Sequence, residues 1–314
     1  MISSKELQLE DVLFPIIQAP VFAKINDKIF KIHGKKALIN SNNNYPISVV
    51  SNCYKIITNK EAYNYGVECM KILFKMNNEK NIKIYNIKTP ETMSFCHIDL
   101  ITEDNHFSFQ GYDKYFPFIR ITNSYNTMYK LSFRVGFCRG ICENGIIFGD
   151  ESIKFSFSHL KNYERGIDFS IKEKEFETIL NKFKSNIQIL TEHSLPGNYS
   201  FELFCKAMNI KIDLSIENKE KRKKEIEKLK FIKQYYFSKL SEYIKQVGDN
   251  FYALYNVITD YSSNGIDENG TLAMRINGRQ MKAGLWLKEI SELLVSENLE
   301  YENYLKEYLE MMKN

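Results

Sequence analysis

The hydrophobic periodicity of this chain changes once, and that change limits the fold more than any other feature. Through about residue 155, apolar residues alternate with polar ones in short runs; from Ser156 onward they recur every three or four positions. Strands gathered ahead of helices define an α+β protein, or two packed lobes, and exclude the regular alternation of a dinucleotide-binding fold. The expected organisation is a β-rich lobe over residues 1–155, carrying one helix at 60–76, followed by a helix-rich lobe over 156–314. A chain of 314 residues can bury a sizeable core in either arrangement.

The β-rich part opens with short extended pieces. Residues 28–33 read as a strand with Ile29 and Lys31 on one side and Phe30 and Ile32 on the other, ended by Gly34. Residues 41–44 are a polar turn, and Pro46 marks an edge or the start of the next strand. Thr58 followed by Glu61 forms a capping box. Behind it Ala62, Tyr65, Cys69, Leu73 and Met76 fall on one helical stripe.

Residues 117–149 carry the most information. Tyr129, Leu131, Phe133, Val135 and Phe137 alternate with Lys130, Ser132, Arg134 and Gly136, and Ile119 and Ile121 flank Arg120. A hairpin with its loop centred on Tyr125 sets Ile121 opposite Tyr129 and Ile119 opposite Leu131, so the apolar residues share one face. Arg120, Lys130 and Arg134 then share the other face, with Tyr125 at the tip. The same register sets Arg120 opposite Lys130, a destabilising like-charge pair that an anion would relieve. One reading is a phosphate-tracking surface with an aromatic ring for base stacking. The other is a solvated outer sheet face, where lysine, arginine and serine belong anyway.

Turn chemistry recurs at Arg139-Gly140 and Asn144-Gly145. Cys138 and Cys142 are separated by three residues, but a second ligand pair is missing, and His97, His106 and His159 are isolated. No metal site and no cofactor are expected, and no spacing pairs a nucleophilic cysteine with a histidine.

The run from Pro117-Phe-Ile-Arg-Ile-Thr-Asn-Ser-Tyr125 through Phe137-Cys-Arg-Gly-Ile-Cys-Glu-Asn-Gly145 resembles the phage- and plasmid-like proteins grouped as domain of unknown function 932. Val49-Val-Ser-Asn-Cys-Tyr-Lys-Ile-Ile-Thr-Asn59 is similar to that family's early segment, and Asn250-Phe-Tyr-Ala-Leu-Tyr-Asn-Val-Ile-Thr-Asp-Tyr261 to its late helix. The likeness covers about residues 45–290. It marks Asn123, Ser124, Cys142, Asn144, Asn256 and Thr259 as motif positions. Where a histidine is expected after the serine this chain has Tyr125, and none follows Tyr261, which counts against a metal-binding or catalytic histidine. The resemblance implies a mobile-element setting and supplies no reaction.

In the helical part, Phe176, Ile179, Leu180 and Phe183 form one stripe, and Leu229, Ile232, Tyr236, Leu240, Tyr243 and Val247 form another; 251–261 and 283–294 read as further helices. Residues 217–230 hold seven basic and four acidic residues. They fit the solvated start of a helix, with Glu217–Lys221 and Glu220–Lys224 pairs, better than a nucleic-acid track. Residues 267–270 are a turn, lacking the oxygen ligands of a calcium loop. Arg275 and Arg279 bracket Asn277-Gly278 in what reads as a hairpin or loop.

With 43 basic and 39 acidic residues, the net charge of +4 permits an anionic partner without requiring one. No apolar run approaches bilayer length, so no membrane partner is expected; the charged N-terminus is unlike a secretory signal, and six scattered cysteines fit a reducing cytoplasm, here that of a bacterial host. The leading expectation is a nucleic-acid-binding protein, a homo-oligomeric single-strand binder or annealer, in which Arg120, Lys130, Arg134 and Arg139 contact phosphates and Tyr125 stacks on bases. The alternative is a protein-interaction factor acting on a host protein through the helical lobe. An enzyme would need a pocket joining Cys142, Asn144, Asn256 and Thr259; no phosphate-binding loop, nucleophile elbow or dinucleotide fingerprint is present.

Overall fold

The computed structural model describes residues 7–76, 78–109, 113–140, 144–147, 154–159, 169, 173–265, 272–297 and 299–313. It is an α+β protein with strands gathered in the first half and helices in the second. Two compact units form: residues 1–143, 151–176 and 267–274 make the first, and 144–150, 177–266 and 275–314 the second.

The first unit contains two sheets. After a single turn of helix, α1 (Leu9–Val12), strands β1 (Ile16–Ile25), β2 (Lys28–Asn40) and β3 (Tyr45–Ser51) form an antiparallel meander. β1 and β2 turn at Asn26 and Asp27, both at positive φ (44° and 64°), which matches the twist of a two-residue hairpin. Pairing runs from Ile25 opposite Lys28 to Val21 opposite Ile32, then jumps to Pro20 opposite Lys36. The bulge leaves residues 33–35 without partners on β1, and Gly34 takes up the irregularity at φ +74°. Beyond the bulge the hairpin is an arm, exposed or half-exposed along its length. Its expected alternation holds: Ile29 and Lys31 lie on one face, Phe30 and Ile32 on the other. At its root, Leu38, Ile47 and Val50 close on Phe14, Tyr54 and Tyr125 to form a small core.

The capping box forms as expected. Thr58 Oγ1 accepts from Glu61 N at 3.2 Å, the Glu61 carboxylate accepts from Thr58 N at 2.7 Å, and helix α2 runs over Asn59–Leu73. Its buried stripe, including Ala62, Gly66, Cys69 and Leu73, lies on the large sheet. That sheet includes β4 (Ile82–Lys88), β5 (Phe95–Thr102), β6 (Phe107–Phe109), β7 (Asp113–Ser124), β8 (Leu131–Arg139) and β10 (Lys154–Phe157). Its order is β10-β8-β7-β5-β4, antiparallel, with β6 pairing on β7. The short strand β9 (Asn144–Ile147) belongs to the second unit, so Asn144-Gly145 begin a strand where a turn was expected.

Gly66 sets how closely α2 approaches β7. A Cβ there would lie 2.2 Å from Ile121 Cδ1 and 2.6 Å from Cγ1. Alanine normally favours a helix over glycine by about 1 kcal/mol. Here overpacking reverses the sign: Gly66→Ala is expected to destabilise by roughly 1–3 kcal/mol. In an Ile121→Ala background, where the overlapping atoms are gone, the same glycine substitution should cost far less, which denaturant unfolding of the two single variants and the double one would measure.

In the second unit, α5 (Lys219–Val247) buries Ile232, Tyr236, Leu240, Tyr243 and Val247 along its predicted stripe and starts at an Asn218 cap that accepts from Glu220 N and Lys221 N. Its first turns are exposed, as expected of a solvated helix start, though the ion pairs there join Lys223 to Glu227 and Lys228 to Glu225. Helix α6 (Phe251–Asn264) is buried over 251–263 and packs with α5 and α4 (Ser200–Met208). Most of α3 (Glu173–Glu192) and α7 (Leu272–Val295) belong to this unit, as do α8 (Tyr301–Tyr304) and α9 (Lys306–Lys313). Arg275 and Arg279 stand within α7, not in a hairpin or loop: Asn277-Gly278 reads locally as a turn, but the helix runs through it. Residues 267–270 lie outside the described residues. Among those described, no helix is long and apolar enough to cross a membrane.

Candidate nucleic-acid interface

The hairpin of β7 and β8 forms with a different register from the expected one. Ile121 lies opposite Phe133, Ile119 opposite Val135, and Arg120 opposite Arg134, four residues further along β8 than expected. An even shift preserves the faces, so the apolar residues still share one side, against α2, and the arginines the other. The loop is longer than a tight turn because Ser124 closes it: its Oγ donates to Tyr129 O at 2.8 Å and accepts from Tyr129 N at 3.2 Å.

The like-charge pair therefore persists, and the chain itself supplies the anion. Asp99 of β5 lies opposite Arg120, and Arg120 Nε and Nη2 donate to Asp99 Oδ1 and Oδ2, both at 2.6 Å. The guanidinium and carboxylate are 1% and 2% exposed. Arg120 is thus a buried member of a two-pronged ion pair and not part of an open phosphate track. The row continues from Arg134, half-buried, to Lys154 opposite it on β10. A neighbouring row sets His97, Thr122 and Ser132 side by side, with His97 Nδ1 2.9 Å from Thr122 Oγ1.

Arg139 is likewise buried, its Nε 2.8 Å from each carboxylate oxygen of Asp113. Tyr125 is wholly buried instead of capping an exposed tip. Its ring joins the small core, and its Oη accepts from Asn59 N at 2.9 Å. Burial pushes the phenol's pKa up. Of the five residues expected to meet nucleic acid, Lys130 is exposed and Arg134 half-exposed. The signal that would have placed the two buried arginines was the acid on the neighbouring strand segment, Asp99 and Asp113.

The motif residues Asn123, Ser124 and Tyr125 form a structural clasp. Asn123 Nδ2 donates to Ile57 O (2.8 Å) and Asn59 Oδ1 (2.9 Å), and Asn59 Nδ2 donates to Val12 O (2.9 Å). Tyr54 Oη donates to Ser124 O (2.6 Å) and Ser48 Oγ to Tyr125 O (2.5 Å). The first residue of α2, the small sheet and the end of β7 are tied together there. Tyr125→Phe keeps the ring but leaves the buried Asn59 N–H without its acceptor. A loss of about 1–3 kcal/mol is expected in denaturant unfolding.

Of the remaining motif positions, Asn144, Asn256 and Thr259 belong to the second unit. In the second unit Asn256 Nδ2 donates to Tyr252 O, Thr259 Oγ1 to Asn256 O and Ser262 Oγ to Thr259 O, so these polar groups are satisfied by their own helix. Asp260 on the same helix accepts from Tyr243 Oη at 3.0 Å and pairs with Lys239 at 3.2 Å. Asn144 stands at the start of β9, and Cys142 lies outside the described residues. Burial raises the thiol pKa values of Cys69, Cys96 and Cys205, the last to about 12, which makes them poor nucleophiles. His159 stacks on Tyr54 and its pKa is lowered by burial. Among the described residues no cluster of three or more metal-ligating side chains occurs.

The arm is an exposed basic surface of the first unit. Residues 21–36 hold five lysines against one acid, Asp27. Phe22 and Lys24 share a face with Ile29 and Lys31, and Lys28 stands at the turn. Phe22 is 54% exposed and Ile29 70%.

Fold and site together define an α+β protein with a clasped central hairpin and a protruding β arm. The model of the domain of unknown function 932 matches residues 46–284, about three quarters of the chain, and the protein belongs to that family. No curated protein and no solved structure matches it. The family match begins after β2, so it leaves most of the small sheet outside.

Proposed function

We propose that this is a phage- or plasmid-type protein that binds single-stranded nucleic acid, with the β arm as its contact surface. The observation that carries this reading is the arm's composition on an exposed two-stranded ribbon: Lys24 and Lys31 beside Phe22 on one face, and Lys28 at the tip. Lysines spaced along a ribbon neutralise successive phosphates, and an exposed ring offers a stacking platform for any base. Lys130, exposed just before β8, adds a charge of the same sign, and Arg134 contributes what its half-exposed side chain allows. Arg120 and Arg139, buried in their ion pairs with Asp99 and Asp113, make no contact with nucleic acid in this reading.

The test is fluorescence anisotropy of labelled single-stranded DNA and RNA at low salt. Saturable binding that weakens as salt rises supports the reading. Absence of binding to both at low salt would falsify it.

A further inference from the structure

The other face of the arm has a different character. On β1, the odd-numbered positions stay on one side through the bulge, because the irregularity falls on β2. Ile17 and Ile25 of β1, Phe30 and Ile32 of β2 and Val49 of β3 therefore share the outer face of the small sheet, opposite the side on which Leu38 enters the core. Their exposures are 46%, 59%, 50%, 40% and 56%. The positions between them on β1 are Ala19, Val21 and Ala23. Ten residues of strand make this face about 33 Å long. Its charges are Lys28 at the tip and Lys35 at the bulge; Lys24 and Lys31 belong to the opposite face.

We propose that this face packs against the same face of a second copy of the chain. Five large side chains about half exposed offer roughly 500 Å² of apolar surface. With the small residues between them, two such faces bury about 1,200 Å², the lower end of what a specific interface needs. A two-fold axis sets each residue's face against its own kind, which requires a flat surface with little charge; two sheets meet this way at about 10 Å separation. Pairing through the open edge of β1 fits less well, since Pro20 and Lys24 stand on that strand and both residue types blunt an edge. Face-to-face packing leaves Phe22, Lys24 and Lys31 turned outward on the opposite side of the ribbon, and Lys28, at the tip, is the one proposed phosphate contact on the dimer side. Neither depends on the other.

Light scattering on the nuclease-treated full chain during size exclusion tests this directly. The expected mass is twice that of one chain. Ile25→Glu with Ile32→Glu should halve it while leaving the circular dichroism spectrum unchanged, because both residues lie beyond the core at the arm's root. Lys24→Glu with Lys31→Glu, on the opposite face, should leave the doubled mass intact while weakening any nucleic-acid binding. Should the first variant fold poorly, Val49→Glu places a charge at the far end of the same face and is also expected to give single chains. A single-chain mass for the wild type at every concentration overturns the proposal. So does a dimer that survives Ile25→Glu with Ile32→Glu and also survives Val49→Glu. A single-chain protein that floats with phosphatidylglycerol–phosphatidylcholine vesicles would assign the face to a membrane surface instead.

Discussion

Arg120→Ala is expected to destabilise the first unit by about 3–5 kcal/mol, since it leaves the Asp99 carboxylate buried, desolvated and without its counter-charge. The size of the effect follows from burial and not from the attraction itself. Removing both partners is therefore expected to be much milder: Asp99→Leu with Arg120→Met should recover most of the loss and could match the wild type. Denaturant midpoints for the two single variants and the double one complete the cycle. An exposed phosphate contact predicts the opposite pattern, with wild-type stability in Arg120→Ala and a defect confined to binding. Arg120→Lys should recover little, because one ammonium cannot satisfy both carboxylate oxygens in the geometry of the two 2.6 Å bonds.

The second large effect concerns salt. If Lys24, Lys28 and Lys31 each neutralise one phosphate, log K for single strands falls with log salt about 0.7 more steeply per contact. Replacing all three with alanine is expected to reduce that slope by about 2 and to weaken binding by at least tenfold at low salt. The melting temperature should barely move, because the three residues are exposed and lie beyond the arm's root. Phe22→Ala should weaken binding without changing the slope, since stacking releases no counterions. An unchanged slope in the triple-alanine protein would remove the arm from the interface.

These expectations rest on positions that the sequence revealed unevenly. The capping box at Thr58 and Glu61, the stripes of α2 and α5, and the alternation in β7 and β8 are short-range patterns, and each is where the spacing puts it. The register of β7 on β8 is different in kind. Parity constrains which face a residue takes, but the number of loop residues depends on Ser124 clasping Tyr129 and on Tyr125 turning into the core. Neither event leaves a periodic trace. Arginine on the polar side of a strand reads as solvent-facing unless its partner strand is known, so Arg120 was legible as part of a face and not as a buried pair, while Arg139, read as part of a turn, falls on the apolar side of β8 by parity with Phe137. Asp99 carried the missing information, 21 residues away. In α7, Asn277-Gly278 has the local chemistry of a turn, and the helix overrides it.

The clasp at the end of β7 has a kinetic consequence. Asn59 meets Tyr125 and Asn123 across separations of 66 and 64 residues, and Ser48 meets the Tyr125 carbonyl across 77. The capping box can organise the start of α2 locally, but its docking onto the sheet and the small core waits until the chain has closed these long loops. Such high contact order slows folding by delaying the reward for ordering the backbone. A nascent chain that stops short of β5 holds every strand of the small sheet and all of α2, yet lacks both the strands on which the helix stripe packs and the strand end that fastens it. That intermediate leaves the apolar face of the β meander and the helix stripe uncovered together, the condition under which a partly made chain is prone to aggregate.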